Sequence, residues 1–279
     1  MQTVTLKEPK VPLTLPDELS RDGGEEVQNF KPFKDWLDTL NRSLSLQTSP
    51  KHPFHEDPYA LRSITVQSHD RFGSRLGFLK LTASVTNSAG EKLPGAAFLR
   101  GPSVAMLVIL VPDDVDTVPD SSMSERYVVL TVQPRVPAGS LALVELPAGM
   151  VDGGTFVGSA AKEIKEELGL EIKEGELVCL SEMARPRSDD EDGREQLPLA
   201  MYPSPGGCDE HVTIFMHERK VPRAQLKEWT GKLTGLRDHG EKITLKLVPM
   251  KDLWREGSRD GKCLAALALW EGLRREGKL

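Results

Sequence analysis

The chain has 279 residues, 38% hydrophobic and 28% charged, enough apolar material for one large domain or two modest ones and too much for a disordered chain. Lys plus Arg is 36 against 42 Asp plus Glu, a formal net charge of −6 and the wrong sign for gripping nucleic acid or anionic lipid. The longest apolar run, Val104 to Val111, has eight residues where a bilayer asks for about 20, so neither nucleic acid nor membrane is an expected partner.

Residues 1–30 mix Pro, Gly and acids with little periodicity and read as an extended arm. They hold Glu8, Asp17, Glu18, Asp22, Glu25 and Glu26 and no apolar h-region, unlike a signal or transit peptide, so a cytoplasmic address is expected. Phe33, Trp36, Leu37, Leu40 and Leu44 recur at helical spacing and predict a short amphipathic helix over 32–44. Residues 1–50 thus form an arm and a helix. Over 51–100 the pattern becomes alternating stretches at 64–66, 76–86 and 96–99, with turns at 70–74 and 87–90, which predicts a small antiparallel sheet.

From Gly101 to residue 279 the pattern is that of a second domain. The unbroken apolar run 104–111 predicts a strand covered on both faces, and 127–132 a second one. Further strands are expected at 141–146, 177–180, 211–217 and 243–248, and helices at 156–168 and 260–275. This order predicts an α+β fold with a mixed sheet between helices. The stretch 185–200 begins RPRSDDEDGREQ, poor in apolar residues, and reads as a flexible insertion. Cys179, Cys208 and Cys263 include no CxxC pair, which predicts reduced thiols rather than a disulfide framework or a zinc site.

The chemistry concentrates in LPAGMVDGGTFVGSAAKEIKEELGL, residues 146–170. Its helical half carries Glu163, Glu166 and Glu167 at i, i+3 and i+4, which at 100° per residue fall within an arc of about 100°. Such a cluster repels itself unless cations sit on it, and Mg²⁺ or Mn²⁺ takes oxygen ligands of this kind. Taken alone, KEIKEEL also reads as an ordinary solvated helix face.

The same stretch resembles the Nudix box, GX5EX7REUXEEXGU, through Gly149, Glu163, Ile164, Glu166, Glu167, Gly169 and Leu170. It departs from the motif in three ways. The spacing from Gly149 to Gly169 is 20, one less than the motif's; Gly154 and Thr155 stand where the loop Glu belongs; and Lys162 replaces the Arg. Lys keeps the charge but lacks the planar fork that holds a carboxylate bidentately. Blocks FLRGPSVAML (98–107), VQPRVPAG (132–139), YPSPGGCDE (202–210) and TGLRDHGEKITLKLVP (234–249) extend the resemblance to the ADP-ribose and ADP-sugar diphosphatase subfamily, the plant plastid ADP-sugar enzymes in particular.

That resemblance implies an α/β/α sandwich preceded by a small N-terminal sheet domain that serves dimerisation, giving a homodimer. It implies Mg²⁺, or Mn²⁺, held by Glu163, Glu166, Glu167 and the Ala148 carbonyl. Arg100 and Arg135 match diphosphate-binding arginines, a role that suits a bidentate donor. Ser204, Gly206 and Gly207 match a loop that lets backbone approach the substrate, although the same residues also make an ordinary turn. Glu241 matches a loop acid that is either metal ligand or base for the attacking water, and Glu166 shares the catalytic assignment; His239 is an accessory candidate near it. The implied reaction is hydrolysis of the diphosphate of a nucleoside-diphosphate sugar such as ADP-ribose or ADP-glucose to AMP and a sugar phosphate. Its rivals are a non-catalytic ADP-ribose sensor with a degenerate box, and a hydrolase of UDP-sugars, NADH or dinucleoside polyphosphates.

Overall fold

The computed structural model describes residues 1–115, 123, 125–151, 155–168, 171–185, 195–234 and 242–279, apart from the Glu167 side chain. The chain divides into two compact units. One comprises Met1–Pro102 and Ser204–His211 together with residues 195–198; the other comprises Ser103–Arg185, Leu199–Pro203 and Val212–Leu279.

In the first unit, strands β1 (Gln2–Thr5) and β2 (Pro12–Leu15) are followed by short helices α1 (Asp17–Ser20) and α2 (Glu25–Asn29) and by α3 (Lys31–Ser45). Residues 1–30 are therefore not an arm. Leu6, Val11, Leu13, Leu15, Leu19 and Val27 are all buried, and strands this short, broken by Pro and Gly, leave no run long enough for their alternation to stand out. Strands β3 (Ala60–Phe72) and β4 (Arg75–Thr86) make a long hairpin, with β5 (Lys92–Leu93) and β6 (Ala96–Leu99) on the far side of β4. The sheet is mainly antiparallel, but β2 runs parallel to β3, with Leu13 opposite Ile64. Phe33 and Leu37 of α3 pack on Leu79, Leu81 and Leu99 in one apolar cluster.

The second unit begins with β7 (Ser103–Pro112), buried at every position. There follow β8 (Tyr127–Arg135), β9 (Ser140–Glu145), β10 (Ala148–Met150), α4 (Phe156–Glu163), β11 (Val178–Cys179), α5 (Leu180–Met183), β12 (Val212–Val221), α6 (Arg223–Trp229), β13 (Leu233–Thr234), β14 (Ile243–Pro249), α7 (Leu253–Glu256) and α8 (Gly261–Arg275). The sheet runs β11-β12-β7-β8-β14-β13; β12 is parallel to β7 and the other pairs are antiparallel.

Alternation along β7 explains its complete burial. Ala105, Leu107, Ile109 and Val111 face a cluster with Cys263, Ala266, Leu267, Trp270 and Leu273 of α8. Val104, Met106, Val108 and Leu110 face Ala160, Ile164, Leu168, Leu226 and Trp229 on the other side. Helices thus cover both faces of a mixed sheet, an α/β/α sandwich. Among the described residues β8 pairs with β7 only at Ile109 and Leu110, whereas β10 pairs with Ser103, Val104 and Ala105 at its start. On the edge of β7 away from β12 the partners β8 and β10 are split along its length, and β10 carries Ala148 and Gly149.

Candidate active site

Gly149 is glycine for want of space. A Cβ built there would lie 2.0 Å from both Cδ and Oε1 of Glu163 and 2.5 Å from its Cγ. The Glu163 carboxylate therefore rests against the strand that carries the Ala148 carbonyl, and the two sequence neighbourhoods at the ends of the motif meet. Inner-face residues Ala160 and Ile164 are fully buried and Leu168 nearly so, which fixes the helix roll and keeps Glu163 and Glu166 off the core.

The helix expected over 156–168 is α-helical only to Glu163; Ile164–Leu168 continues as a π-helical segment. Its i→i+5 bonding widens the turn, so Glu166 leaves the α-register that relates it to Glu163. The Glu167 side chain lies outside the described residues. Lys162 sits 3.7 Å from Glu166, an i,i+4 pair with the lysine largely exposed, and such a pair contributes little to stability. Thr155, at the position of the missing loop acid, is the N-cap of α4, its hydroxyl accepting from the Gly158 N–H at 3.0 Å. Thr155 thus serves the helix as its cap.

Arg135 lies at the end of β8, where its Nε donates to the buried carboxylate of Glu145 at 2.6 Å. Glu145 also accepts from Lys262 Nζ at 3.1 Å, and Lys262 reaches Asp260 at 2.9 Å. Asp260 accepts from the Leu146 and Lys262 backbone N–H groups at 2.8 and 3.0 Å. Burial by itself would lower the Lys262 ammonium, but Asp260 and Glu145 outweigh it and hold it above its ordinary value. Burial, reinforced by Asp260, pushes the Cys263 thiol far up, so it is an inert core thiol. Sequence reasoning did not single out Glu145, Lys262 or Asp260. Their spacing of more than a hundred residues hides the cluster; the signal available was an Asp directly ahead of an amphipathic helix.

Arg100, Ser204, Gly206 and Gly207 belong to the first unit. The Ser204 carbonyl accepts from the Gly207 and Cys208 N–H groups at 3.1 and 3.0 Å, closing a tight turn. A Cβ at Gly206 or Gly207 would meet nothing within 4 Å, so no part of the described chain requires either to be glycine. Arg100 lies over the Phe78 ring, 5.9 Å from its centroid, with Nη1 3.6 Å from Glu210. Phe78 in turn contacts Phe72 and Phe98.

Glu241 and His239 lie outside the described residues, as does the 186–194 part of the charged insertion. The available donors, carboxylate oxygens of Glu163 and Glu166 and the Ala148 carbonyl, are those a hard divalent ion takes. Among the described residues no three acids, imidazoles or thiols gather in a metal-holding group. Two acids expected to complete such a set, Glu167 and Glu241, have side chains outside the described ones.

A family model described as NUDIX domain matches residues 112–267. The chain is 37% identical over 248 residues to "Nudix hydrolase 14, chloroplastic" of Arabidopsis thaliana, spanning 88% of this chain and 71% of that protein. A solved structure titled "Crystal structure of ADP compounds hydrolase" aligns with a TM-score of 0.49 at 15% identity, covering 79% of this chain and 97% of that one.

Proposed function

Because the chain belongs to the Nudix family and is a Nudix hydrolase, we propose that it hydrolyses the diphosphate bond of nucleoside-diphosphate sugars, with ADP-ribose and ADP-glucose as substrates and AMP and a sugar phosphate as products. The observation that supports this best is the Glu163 carboxylate seated where a Gly149 side chain would be. It puts an acid beside the Ala148 backbone and gives the motif's glycine a chemical reason.

Glu163, Glu166, Glu167 and the Ala148 carbonyl would hold Mg²⁺ or Mn²⁺, which when bound neutralises diphosphate charge and makes water a better nucleophile. Arg135, anchored through Nε by Glu145, presents its terminal nitrogens to phosphate oxygens. Arg100 is assigned the same role, and the open space around Gly206 and Gly207 suits backbone approach to the nucleotide. Glu241, with Glu166 as the second candidate, takes the proton from the attacking water. The chain's own residues thus bind, orient and accept a proton, the tasks that phosphoryl transfer asks of a protein. The proposal includes a homodimer and a reducing, cytoplasmic setting in keeping with three unpaired thiols; the Arabidopsis relative is named chloroplastic.

The test incubates the protein with Mg²⁺ or Mn²⁺ and ADP-ribose, ADP-glucose, UDP-glucose, NADH or Ap₄A, and quantifies AMP, UMP and sugar phosphate. The expected result is fastest release of AMP from an ADP-sugar, abolished by EDTA and restored by metal. Faster cleavage of UDP-glucose, NADH or Ap₄A would overturn the substrate class, and saturable ADP-ribose binding without turnover would turn the reading into that of a sensor.

A further inference from the structure

Arg100 is held by a set of contacts that the reaction does not by itself call for. The Asp209 carboxylate accepts the Arg100 N–H at 2.8 Å through Oδ1 and the Gly101 N–H at 3.1 Å through Oδ2. The Phe98 N–H donates to the Gly207 carbonyl at 2.8 Å and the Asp209 N–H to the Phe98 carbonyl at 3.3 Å. The turn formed by Ser204 to Cys208 is thereby clipped to the end of β6 and to Arg100. Gly101 turns with φ +82°, a conformation that only glycine adopts readily. A Cβ there would also press on Pro32 at 2.9 Å.

Two observations give the clip a purpose. Arg100 Nε is buried and has no hydrogen-bond partner among the described residues, a donor left for something outside them. Asp209 is an expensive choice of clip, since burial pushes its carboxyl up to about 6 against the pull of the Arg100 and Gly101 N–H groups. Arg100, Cys208 and His211 interact with it, Glu210 acts on Cys208 and His211, and Lys31 and Asp35 of α3 act on His211. Two backbone N–H groups could be satisfied by a neutral acceptor, so retention of a penalised charge points to a demand beyond stability.

We propose that Asp209 is a positioning residue: it fixes the backbone of Arg100 and Gly101 so that the Arg100 guanidinium meets the substrate diphosphate, and ties that arginine to the Ser204–Cys208 turn. The inference rests on the diphosphate role proposed for Arg100. Asp209 touches no reacting atom; it removes the freedom Arg100 would otherwise lose on binding, so its loss falls on KM rather than kcat.

The experiment compares wild type, Asp209→Asn, Arg100→Ala and the double variant in ADP-ribose hydrolysis, with amide hydrogen exchange across residues 98–102. Asp209→Asn should raise KM about tenfold, the size of one charge-assisted hydrogen bond, and leave kcat within about twofold. It should add nothing in the Arg100→Ala background and should speed exchange of the Arg100 and Gly101 amides. Equal KM effects with and without Arg100, or unchanged KM for Asp209→Asn where Arg100→Ala raises it, would overturn the proposal. No KM change in Arg100→Ala would overturn the diphosphate role of Arg100 as well. If ADP-ribose is not turned over, the affinity for inorganic pyrophosphate by calorimetry takes the place of KM, so that the substrate reading and the positioning reading fail separately.

Discussion

At Gly149 the missing side chain makes room for a carboxylate. A methyl group would collide with Glu163, but with the far end of a flexible chain that can swing away. Gly149→Ala is therefore expected to lower the melting temperature by only a few degrees while reducing kcat about a hundredfold, because the Glu163 carboxylate is pushed off the Gly149 backbone. Steady-state kinetics and calorimetry on one preparation check both; unchanged kcat would separate Glu163 from the chemistry. Asp209 makes the opposite kind of trade. Its folded-state carboxyl titrates near 6 rather than 3.8 because burial disfavours the charge, which costs about 3 kcal/mol at neutral pH. With the folded value raised, the unfolded state ionises first as pH climbs through 4 to 6, so this group contributes least to stability above pH 6. Wild type should thus gain stability relative to Asp209→Asn as pH falls from 7 to 4.5. Denaturant titrations at several pH values would show it, and parallel curves for the two proteins would contradict the buried-carboxylate account.

Among the elements, α8 does two jobs with one residue. Asp260 caps its first turn through the Lys262 N–H and also holds the Leu146 N–H and the Lys262 ammonium. Removing it takes away a cap worth about 1 kcal/mol and leaves a buried ammonium with one partner fewer, which is worse than never having had the pair. Asp260→Ala is expected to cost about 3 kcal/mol in all, or roughly 5 °C in a chain of this size. A loss under about 2 °C would mean the network is idle. Glu145 joins this network to Arg135, so a helix far along the chain steadies the arginine at the end of β8. In α4 the change from α- to π-geometry after Glu163 leaves Ile164 and Leu168 in the core and re-aims Glu166, which lies between them.

For the molecule as a whole, the first fifteen residues are structural. They supply Leu6, Val11, Leu13 and Leu15 to a buried cluster, roughly 6–12 kcal/mol of apolar burial and comparable with the whole stability of a domain. Deleting residues 1–15 should therefore unfold the first unit and abolish activity, read as loss of exchange protection on β3 and β4. Full protection without them would restore the arm reading. Among the described residues no helix is long and apolar enough to cross a membrane, and the charge balance gives no surplus of cations for a polyanion.

Long apolar runs and strong helical periodicity were legible from the sequence, because each is a local pattern that one covered face imposes. The strand over 104–111 appears as Ser103–Pro112, and the two helices over 32–44 and 260–275 appear as Lys31–Ser45 and Gly261–Arg275. The family was legible too, since spaced glycine and glutamates are fixed by chemistry within one turn and one helix. What the sequence could not carry is any relation between distant segments. The parallel pairing of β2 with β3, the burial of residues 1–30, the clip from Asp209 to Arg100 and the chain of charges from Arg135 to Asp260 join residues that leave no pattern in one another's neighbourhood. Each exists because a backbone donor or a buried charge must find a partner, and only the tertiary structure decides which one is within reach.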